Sequence, residues 1–214
     1  MPLTLYFDFI SPYAYLAWAI LKKRGEPVVL EPILFAGLLN HHGQLGPAEI
    51  PAKRQWLLKD TRRQAQRHGV PLGHPASHPF RPLTALRVSQ RAVAGEHQPA
   101  VVSALFHHGW VEGGELGDDA AIRDALTRAG LDGDALVAAA NQPPAKEALK
   151  EATADAIEHG VFGVPTLSVD GELFWGSDRI DDALAHRDGE LVITDDDVRD
   201  AMTMPATAQR KRGS

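Results

Sequence analysis

Ser11 is the residue best placed to do chemistry, because it stands where an apolar run gives way to a helical pattern. Residues 3–10 are rich in apolar and β-favouring types, which predicts a strand, and Ser11-Pro12 ends that run. Serine is a favoured N-cap residue and proline is favoured at the first helical position, so a helix is expected to begin here. The free N–H groups of a helix start, with a serine hydroxyl beside them, can hold an anion. Taken alone, a Ser-Pro step is also typical of a purely structural cap.

Cysteine is absent from the 214 residues, so the chain cannot form or exchange a disulfide or supply a thiolate of its own. Any thiol chemistry at Ser11 therefore needs sulfur from a bound molecule. Thiolate metal sites are excluded too, which leaves histidine and carboxylates as ligands. His107 and His108 are adjacent and would point apart on a helix, while His74 and His78 lie among prolines without a carboxylate at ligand spacing. No metal site is predicted.

Composition and charge indicate a soluble protein with a sizeable core. Hydrophobic residues make up 44% of the chain, and the net charge of −6 argues against a nucleic-acid partner. No apolar run approaches the roughly 18–20 residues that span a bilayer, and the first strand starts too near Met1 to leave room for a signal peptide. We therefore expect a cytoplasmic protein that does not bind membranes.

The elements around Ser11 predict an α/β fold. A helix is expected over 12–24 and a strand over 27–35, an order that favours a parallel strand pair. From Ala36 to Gln142 helical patterns follow one another. Within that segment helices are predicted from Pro51 to His68 and over 83–95, 98–109, 119–129 and 133–140.

The last third of the chain returns to the α/β pattern. A helix is predicted from Pro143 to Ile157. The alternation of Leu167 and Val169 with Leu173 and Trp175 around Asp170-Gly171 predicts a hairpin. Ser177 is expected to cap a following helix, and Thr194 to cap another over 195–203. This order predicts a thioredoxin-like domain (residues 1–35 and 143–186) with a large helical insertion (36–142) and a C-terminal tail (187–214).

Two motifs carry a resemblance to a known family. Phe-Asp-Phe-x-Ser-Pro-Tyr-x-Tyr-Leu-Ala, starting at Phe7, resembles the N-terminal motif of the 2-hydroxychromene-2-carboxylate isomerases, relatives of the kappa-class glutathione transferases and of bacterial disulfide oxidants. Gly-Val-Pro-Thr, starting at Gly163, resembles the cis-proline loop of the thioredoxin superfamily, which implies a cis Val164–Pro165 bond. The resemblance covers residues 1 to about 185.

The resemblance also implies a glutathione site. Ser11 stands where the disulfide oxidants carry a cysteine, so the glutathione sulfur would lie against its hydroxyl. Val164 and Pro165 would pair with the tripeptide through the backbone. The γ-glutamyl end would be bound by Trp175, Gly176, Ser177 and Asp178, with the Ser177 hydroxyl on its carboxylate and Asp178 on its ammonium.

The implied reaction is a glutathione-dependent cis–trans isomerisation of 2-hydroxychromene-2-carboxylate or a similar unsaturated aromatic pyruvate. The glutathione thiolate, stabilised by Ser11, would add reversibly to the double bond and let it rotate. Arg81 or Lys53 is expected to bind the substrate carboxylate, and Tyr13 to form part of the apolar wall. The relatives imply a homodimer. Their loop before the long helix usually carries an asparagine, whereas this chain has His41–Pro47 with Gln44.

Two other functions remain open at this stage. A kappa-like glutathione transferase would use the same fold and cofactor but release a conjugate, and a non-catalytic glutathione- or peptide-binding protein would use the cleft as a clamp. The sequence does not favour a serine hydrolase, because it contains no Gly-x-Ser-x-Gly motif.

Overall fold

A four-stranded sheet carries Ser11 just beyond the end of one of its inner strands. The computed structural model describes residues 2–205 and 207. The strands are β1 (Leu3–Phe7), β2 (Val28–Pro32), β3 (Thr166–Val169) and β4 (Glu172–Trp175), and their order in the sheet is β2-β1-β3-β4. β1 and β2 are parallel, while β1–β3 and β3–β4 are antiparallel. The thioredoxin-like α/β arrangement expected from the sequence is confirmed.

Helices surround this sheet, and most lie where the sequence predicts them. In chain order they are α1 (Pro12–Arg24), α2 (Phe35–His42), α3 (Pro51–His68), α4 (Leu83–Val88), α5 (Arg91–Ala94), α6 (Gln98–Trp110), α7 (Asp119–Arg128), α8 (Gly133–Ala140), α9 (Pro143–Glu158), α10 (Ile180–Arg187) and α11 (Asp195–Met202). The helices α2 to α8 form the helical insertion between the two parts of the sheet.

A cluster of buried phenylalanines joins the insertion to the sheet. Phe7 ends β1, Phe9 follows it, and both rings pack against Phe106 of α6, with ring centroids 5.5 and 4.6 Å apart respectively. All three side chains are buried. Aromatic pairs at such distances add to the free energy gained by burial alone. The insertion is therefore part of the core that supports the start of α1.

The predicted strand over 27–35 is too long, because the chain leaves the sheet after Pro32. The backbone N–H of Phe35 donates to Asp8 Oδ2 at 2.9 Å, and that of Leu34 donates to Thr153 Oγ1 at 3.0 Å. These two side chains accept the hydrogen bonds that a neighbouring strand would otherwise accept. The helix α2 then begins at Phe35. Nothing in the local hydrophobic pattern marks that change.

The helix predicted over 83–95 is interrupted. Gln90 has an extended backbone between α4 and α5, and its buried side chain donates to Pro32 O at 2.8 Å. A short 3₁₀ turn at Gly95–His97 follows α5. The side-chain contact with the end of β2 outweighs the local helical preference.

The prediction that Ser177 caps a helix is wrong. Gly176, with φ of 115°, leads into a 3₁₀ turn at Ser177–Arg179, and Arg179 takes the N-cap position of α10. The Ser177 side chain is buried and makes no capping bond within the described residues. The Ser177 hydroxyl therefore makes no capping hydrogen bond at the start of α10.

The C-terminal tail contains the expected helix. Thr194 caps α11, and its Oγ1 accepts a hydrogen bond from the Asp197 N–H at 3.4 Å. Residues 206 and 208–214 of the predicted tail lie outside the described part of the chain. The division into residues 1–35 with 143–186, 36–142 and 187–214 stays a prediction. Within the described residues no helix has the length and apolarity that a membrane span requires.

Candidate active site

Ser11 is both a helix cap and a contact across the cleft. Its backbone is extended (φ −92°, ψ 116°), and its Oγ accepts from the Ala14 N–H at 3.2 Å. The same hydroxyl donates to Val164 O at 3.4 Å, although 153 positions separate the two residues. Ser11 is 8% exposed. The fold thus brings the predicted thiolate-binding hydroxyl against the predicted peptide-binding backbone.

The Val164–Pro165 peptide bond is cis, which confirms the expectation for this loop. Pro165 O accepts from the Gly176 N–H at 2.9 Å, and this bond joins the loop to the segment after β4. Two hydrogen bonds therefore join Ser11 and Gly176 to the two residues of the cis-proline loop, Val164 and Pro165. A second cis bond precedes Pro79, where nothing in the sequence predicts it.

Asp8 anchors the turn that carries Ser11. Its side chain is only 1% exposed, and its Oδ1 accepts from the Ile10 N–H at 3.0 Å while its Oδ2 accepts from Phe35 N–H. Its backbone carbonyl accepts from the Ser11 N–H at 3.1 Å. Burial raises the pKa of this carboxyl from 3.8 to about 7, although the two backbone N–H groups act in the opposite direction.

Two aromatic side chains of the insertion bind the remaining carbonyls of the turn. Trp110 Nε1 donates to Phe9 O at 2.8 Å, and His78 Nε2 donates to Ile10 O at 3.0 Å. The His78 ring also lies against the Trp110 ring, with centroids 5.7 Å apart. Burial lowers the pKa of the His78 imidazole, which favours its neutral form. The backbone around Ser11 is therefore fixed on several sides.

Tyr13, predicted as an apolar wall, instead uses its hydroxyl in a polar contact. The hydroxyl donates to Asp60 Oδ2 on α3 at 2.9 Å. Burial, this hydrogen bond and the charges of Asp60 and Asp178 all raise the pKa of the phenol. Two carboxylates thus lie close to the same phenol. Tyr13 remains a predicted substrate residue, with part of its ring buried against the core.

The segment from Trp175 to Asp178 lies along the other side of the cis-proline loop. The Trp175 ring is 57% exposed and packs edge-on against Phe162, with centroids 5.2 Å apart. A side chain at Gly163 would come within 2.5 Å of Trp175 Nε1, so this close approach requires glycine. Asp178 already forms an ion pair with Arg179 at 2.9 Å. A ligand ammonium at Asp178 would share that carboxylate.

The cations predicted for the substrate, Lys53 and Arg81, are exposed and form no side-chain hydrogen bond or ion pair within the described residues. The neighbouring Arg54 differs, because its Nη2 donates to His78 O at 3.2 Å. Since His78 contacts Ile10, Arg54 is joined to the Ser11 turn through a single residue.

Asp8, Asp60, His78 and Trp110 were not predicted as site residues. Asp8 had a local signal, since a lone carboxylate between two phenylalanines is costly to bury unless its oxygens have partners. The other three make contacts 47, 68 and 101 residues away along the chain. The spacing of these residues along the sequence does not indicate such contacts.

Comparisons with known proteins agree with this architecture. The DSBA-like thioredoxin domain family matches residues 3–186. A 2-hydroxychromene-2-carboxylate isomerase from Sphingobium xenophagum is 33% identical over 183 residues, covering 82% of this chain and 92% of that protein. The glutathione S-transferase kappa 2 of Caenorhabditis elegans is 29% identical, covering 82% and 86% respectively. A solved 2-hydroxychromene-2-carboxylate isomerase superposes with a TM-score of 0.79 and 27% identity, over 96% of this chain and 100% of that one.

Proposed function

Because the chain belongs to the 2-hydroxychromene-2-carboxylate isomerase family, within the DSBA-like thioredoxin domains, and is an isomerase, we propose that it isomerises 2-hydroxychromene-2-carboxylate or a similar unsaturated aromatic pyruvate with the help of glutathione. The observation that carries this proposal is the meeting of the Ser11 hydroxyl with Val164 O across the cleft. A homodimeric, cytoplasmic protein is part of the same proposal, and analytical ultracentrifugation tests the dimer.

The residues around the cleft suit glutathione. The backbone before Pro165 can pair with an extended tripeptide as an added strand would. The uncommitted hydroxyl of Ser177 suits a carboxylate, and the carboxylates of Asp60 and Asp178 suit an ammonium. These three side chains therefore suit the carboxylate and the ammonium that share the α-carbon of the γ-glutamyl residue. In this arrangement the glutathione sulfur would accept a hydrogen bond from the Ser11 hydroxyl.

Glutathione, when bound here, would supply a thiolate whose reversible addition turns the substrate double bond into a rotatable single bond. Ser11 would favour this ionised form by donating a hydrogen bond from its Oγ–H to the sulfur at the N-terminus of α1. A thiol with a pKa near 8.5 is only about 3% ionised at pH 7, whereas a decrease of about 2 units makes it mostly thiolate. Asp8, His78 and Trp110 hold the donor in place before the ligand arrives, so little reorganisation is needed.

Product analysis with an unsaturated aromatic pyruvate tests the proposal. An isomerase changes the substrate geometry only when glutathione is present and leaves the glutathione concentration unchanged. Stoichiometric loss of glutathione would identify a kappa-like transferase, a function that the similarity to the Caenorhabditis elegans kappa protein keeps as the second candidate. Tight glutathione binding without turnover would indicate a binding protein.

Glutathione is expected to raise the melting temperature. A ligand that binds only the folded state stabilises it by about 2.7 kcal/mol at a hundredfold excess over its dissociation constant. Ser177→Ala and Asp178→Ala should each reduce this shift, which differential scanning fluorimetry measures. Asp182→Ala is the matched control, because Asp182 pairs with the same Arg179 from α10. The cofactor claim is lost if millimolar glutathione leaves the melting temperature of the unmutated protein unchanged.

A further inference from the structure

The helix α11 and one side of α3 are exposed surfaces of opposite charge with matching apolar residues. We infer that α11 of one chain packs antiparallel against α3 of a second copy of this chain, and that a two-fold axis repeats this contact in a homodimer. The inference rests on the homodimer of the proposed function and names the surfaces that form it. It does not depend on the proposed reaction.

The helix α11 has an apolar side, yet none of its residues is buried. Val198 and Met202 stand four positions apart and therefore share one side of the helix, and Met202 is 72% exposed. Leu191, Val192 and Ile193, directly before the helix, are exposed as well. Isolated exposed apolar side chains are common, whereas a concentration of them in one segment is typical of an interaction surface.

The complementary surface is the outer side of α3. The buried residues Leu57, Thr61 and Ala65 pack this helix on the rest of the protein. At 3.6 residues per turn, the opposite side carries one large apolar side chain and three cations, namely Trp56, Lys59, Arg63 and Arg67. All four are exposed, and the Trp56 side chain is 58% exposed. This side of α3 therefore offers an aromatic contact at one end and positive charge along the rest.

The two helices carry opposite charge. The helix α3 contains six lysine or arginine residues and a single carboxylate, Asp60, which accepts a hydrogen bond from the Tyr13 hydroxyl. The helix α11 contains four aspartates and one arginine, Arg199, which pairs with Asp196. Opposite charges on facing surfaces steer the encounter of two proteins and fix their register. An acidic helix is therefore a suitable partner for α3.

The spacing of the residues fits an antiparallel arrangement. Asp195 and Met202 are seven positions apart on α11, and Arg63 and Trp56 are seven positions apart on α3. Each pair spans about 10 Å along its helix, at a rise of 1.5 Å per residue. When the helices are antiparallel, Met202 can pack on the Trp56 ring while Asp195 meets Arg63. The dipoles of the two helices also oppose each other in this orientation.

The tail of the same chain does not occupy the outer side of α3. The N–H groups of Glu190 and Leu191 donate to Ala185 O at 2.8 and 3.3 Å, and His186 Nδ1 lies 3.0 Å from Leu191 O. These contacts fix the tail to the end of α10 as far as Leu191. Only residues 192–194 then link it to α11, whose residues are all exposed. The partner of α3 is therefore assigned to a second copy.

Engineered disulfides test the contact, because the chain has no cysteine of its own. The Arg63→Cys and Asp195→Cys proteins are purified separately, mixed and mildly oxidised. Mass spectrometry should then find disulfide-linked dimers that contain one chain of each variant. Arg62→Cys is the matched control, since this position lies about 100° around α3 from Arg63, and its mixed dimer should be about tenfold less abundant. A chain with both substitutions should form linked dimers and no internal disulfide.

Charge reversal gives an independent measurement by analytical ultracentrifugation. Arg63→Glu should weaken the dimer by about tenfold or more, since the altered contact occurs twice in a two-fold dimer. Asp195→Arg should have a similar effect, and the two changes together should restore the dissociation constant to within about threefold of the unmutated protein. Trp56→Ala should weaken the dimer at least as much, because tryptophan is a frequent hot spot of interfaces. Lys150→Glu on α9 is the control and should change the dissociation constant by less than twofold.

The inference is overturned if the mixed disulfide is no more abundant than its control, if an internal disulfide forms instead, or if the double charge reversal does not restore the dimer. A dimer that none of these substitutions weakens would keep the proposed homodimer and contradict this contact. An unmutated protein that is monomeric at micromolar concentration would contradict both. In every case glutathione-dependent turnover, measured on the unmutated protein, tests the proposed reaction separately.

Discussion

Ser11→Gly is expected to lose about a hundredfold to a thousandfold in kcat while the protein folds normally. Glycine is an acceptable N-cap residue, so the lost bond to Ala14 costs only a few tenths of a kcal/mol. The bond to Val164 O is long at 3.4 Å and contributes little. If the hydroxyl stabilises a bound thiolate, its loss should resemble the removal of one oxyanion-stabilising donor. The pKa of bound glutathione, followed by thiolate absorbance, should rise in the same variant.

A cap variant elsewhere separates the two roles of Ser11. Thr194→Gly removes an N-cap hydroxyl from α11, outside the site, and should leave turnover unchanged. Chemical denaturation of both variants measures the stability cost of the cap. Turnover of Ser11→Gly within about threefold of the unmutated protein, with an unmoved thiolate titration, would mean that Ser11 is only a cap.

Asp8→Asn is expected to remove a large pH dependence from the folding stability. The folded carboxyl has a pKa of about 7, above its ordinary value of 3.8, so between these values the folded protein keeps a proton that the unfolded chain has released. The resulting stabilisation is fully present below about pH 3.8 and is lost as the pH rises through about 7. Each pH unit in this window corresponds to about 1.4 kcal/mol. The stability of the unmutated protein relative to Asp8→Asn should therefore fall by on the order of 4 kcal/mol from pH 4 to pH 7.

Urea denaturation of both proteins at several pH values between 4 and 8 measures this difference. Subtraction of the two curves removes the contribution of His78, whose pKa burial lowers and which is present in both proteins. Asp8→Asn should also cost about 1–3 kcal/mol above pH 7, since an amide offers one acceptor oxygen for the N–H groups of Ile10 and Phe35. A stability difference that does not change with pH would show that the Asp8 carboxyl ionises near its ordinary value.

Most of the fold could be predicted because its signals are local. The strand–turn–helix around Ser11 and the hairpin around Asp170-Gly171 follow from apolar periodicity and turn residues, and both are confirmed. The end of β2 at Pro32 and the break at Gln90 could not be predicted, because each depends on a side-chain partner from a distant segment.

The candidate site likewise contains residues that sequence motifs predict and residues that only the folded structure identifies. Ser11 and Val164 could be paired from two family motifs, and the fold brings them into contact. Arg54 was not distinguished from its neighbour Lys53, since both are cations on the same exposed helix and only the contact with His78 O separates them. The environment of Tyr13 likewise depends on Asp60, which no motif marks.

The separation of Ser11 and Val164 by 153 residues has a consequence for protein synthesis. β1, α1 and β2 leave the ribosome before the insertion, but the other edge of β1 pairs with β3, which is made only after the insertion and α9. At a synthesis rate of about 5–20 residues per second, this edge of β1 remains unpaired for on the order of ten to thirty seconds before β3 is made. An unpaired strand edge during this interval is open to association with other nascent chains. A ligand that binds both Ser11 and Val164 would join the turn after β1 to the loop before β3, and would therefore stabilise the newly made protein against separation of these two strands.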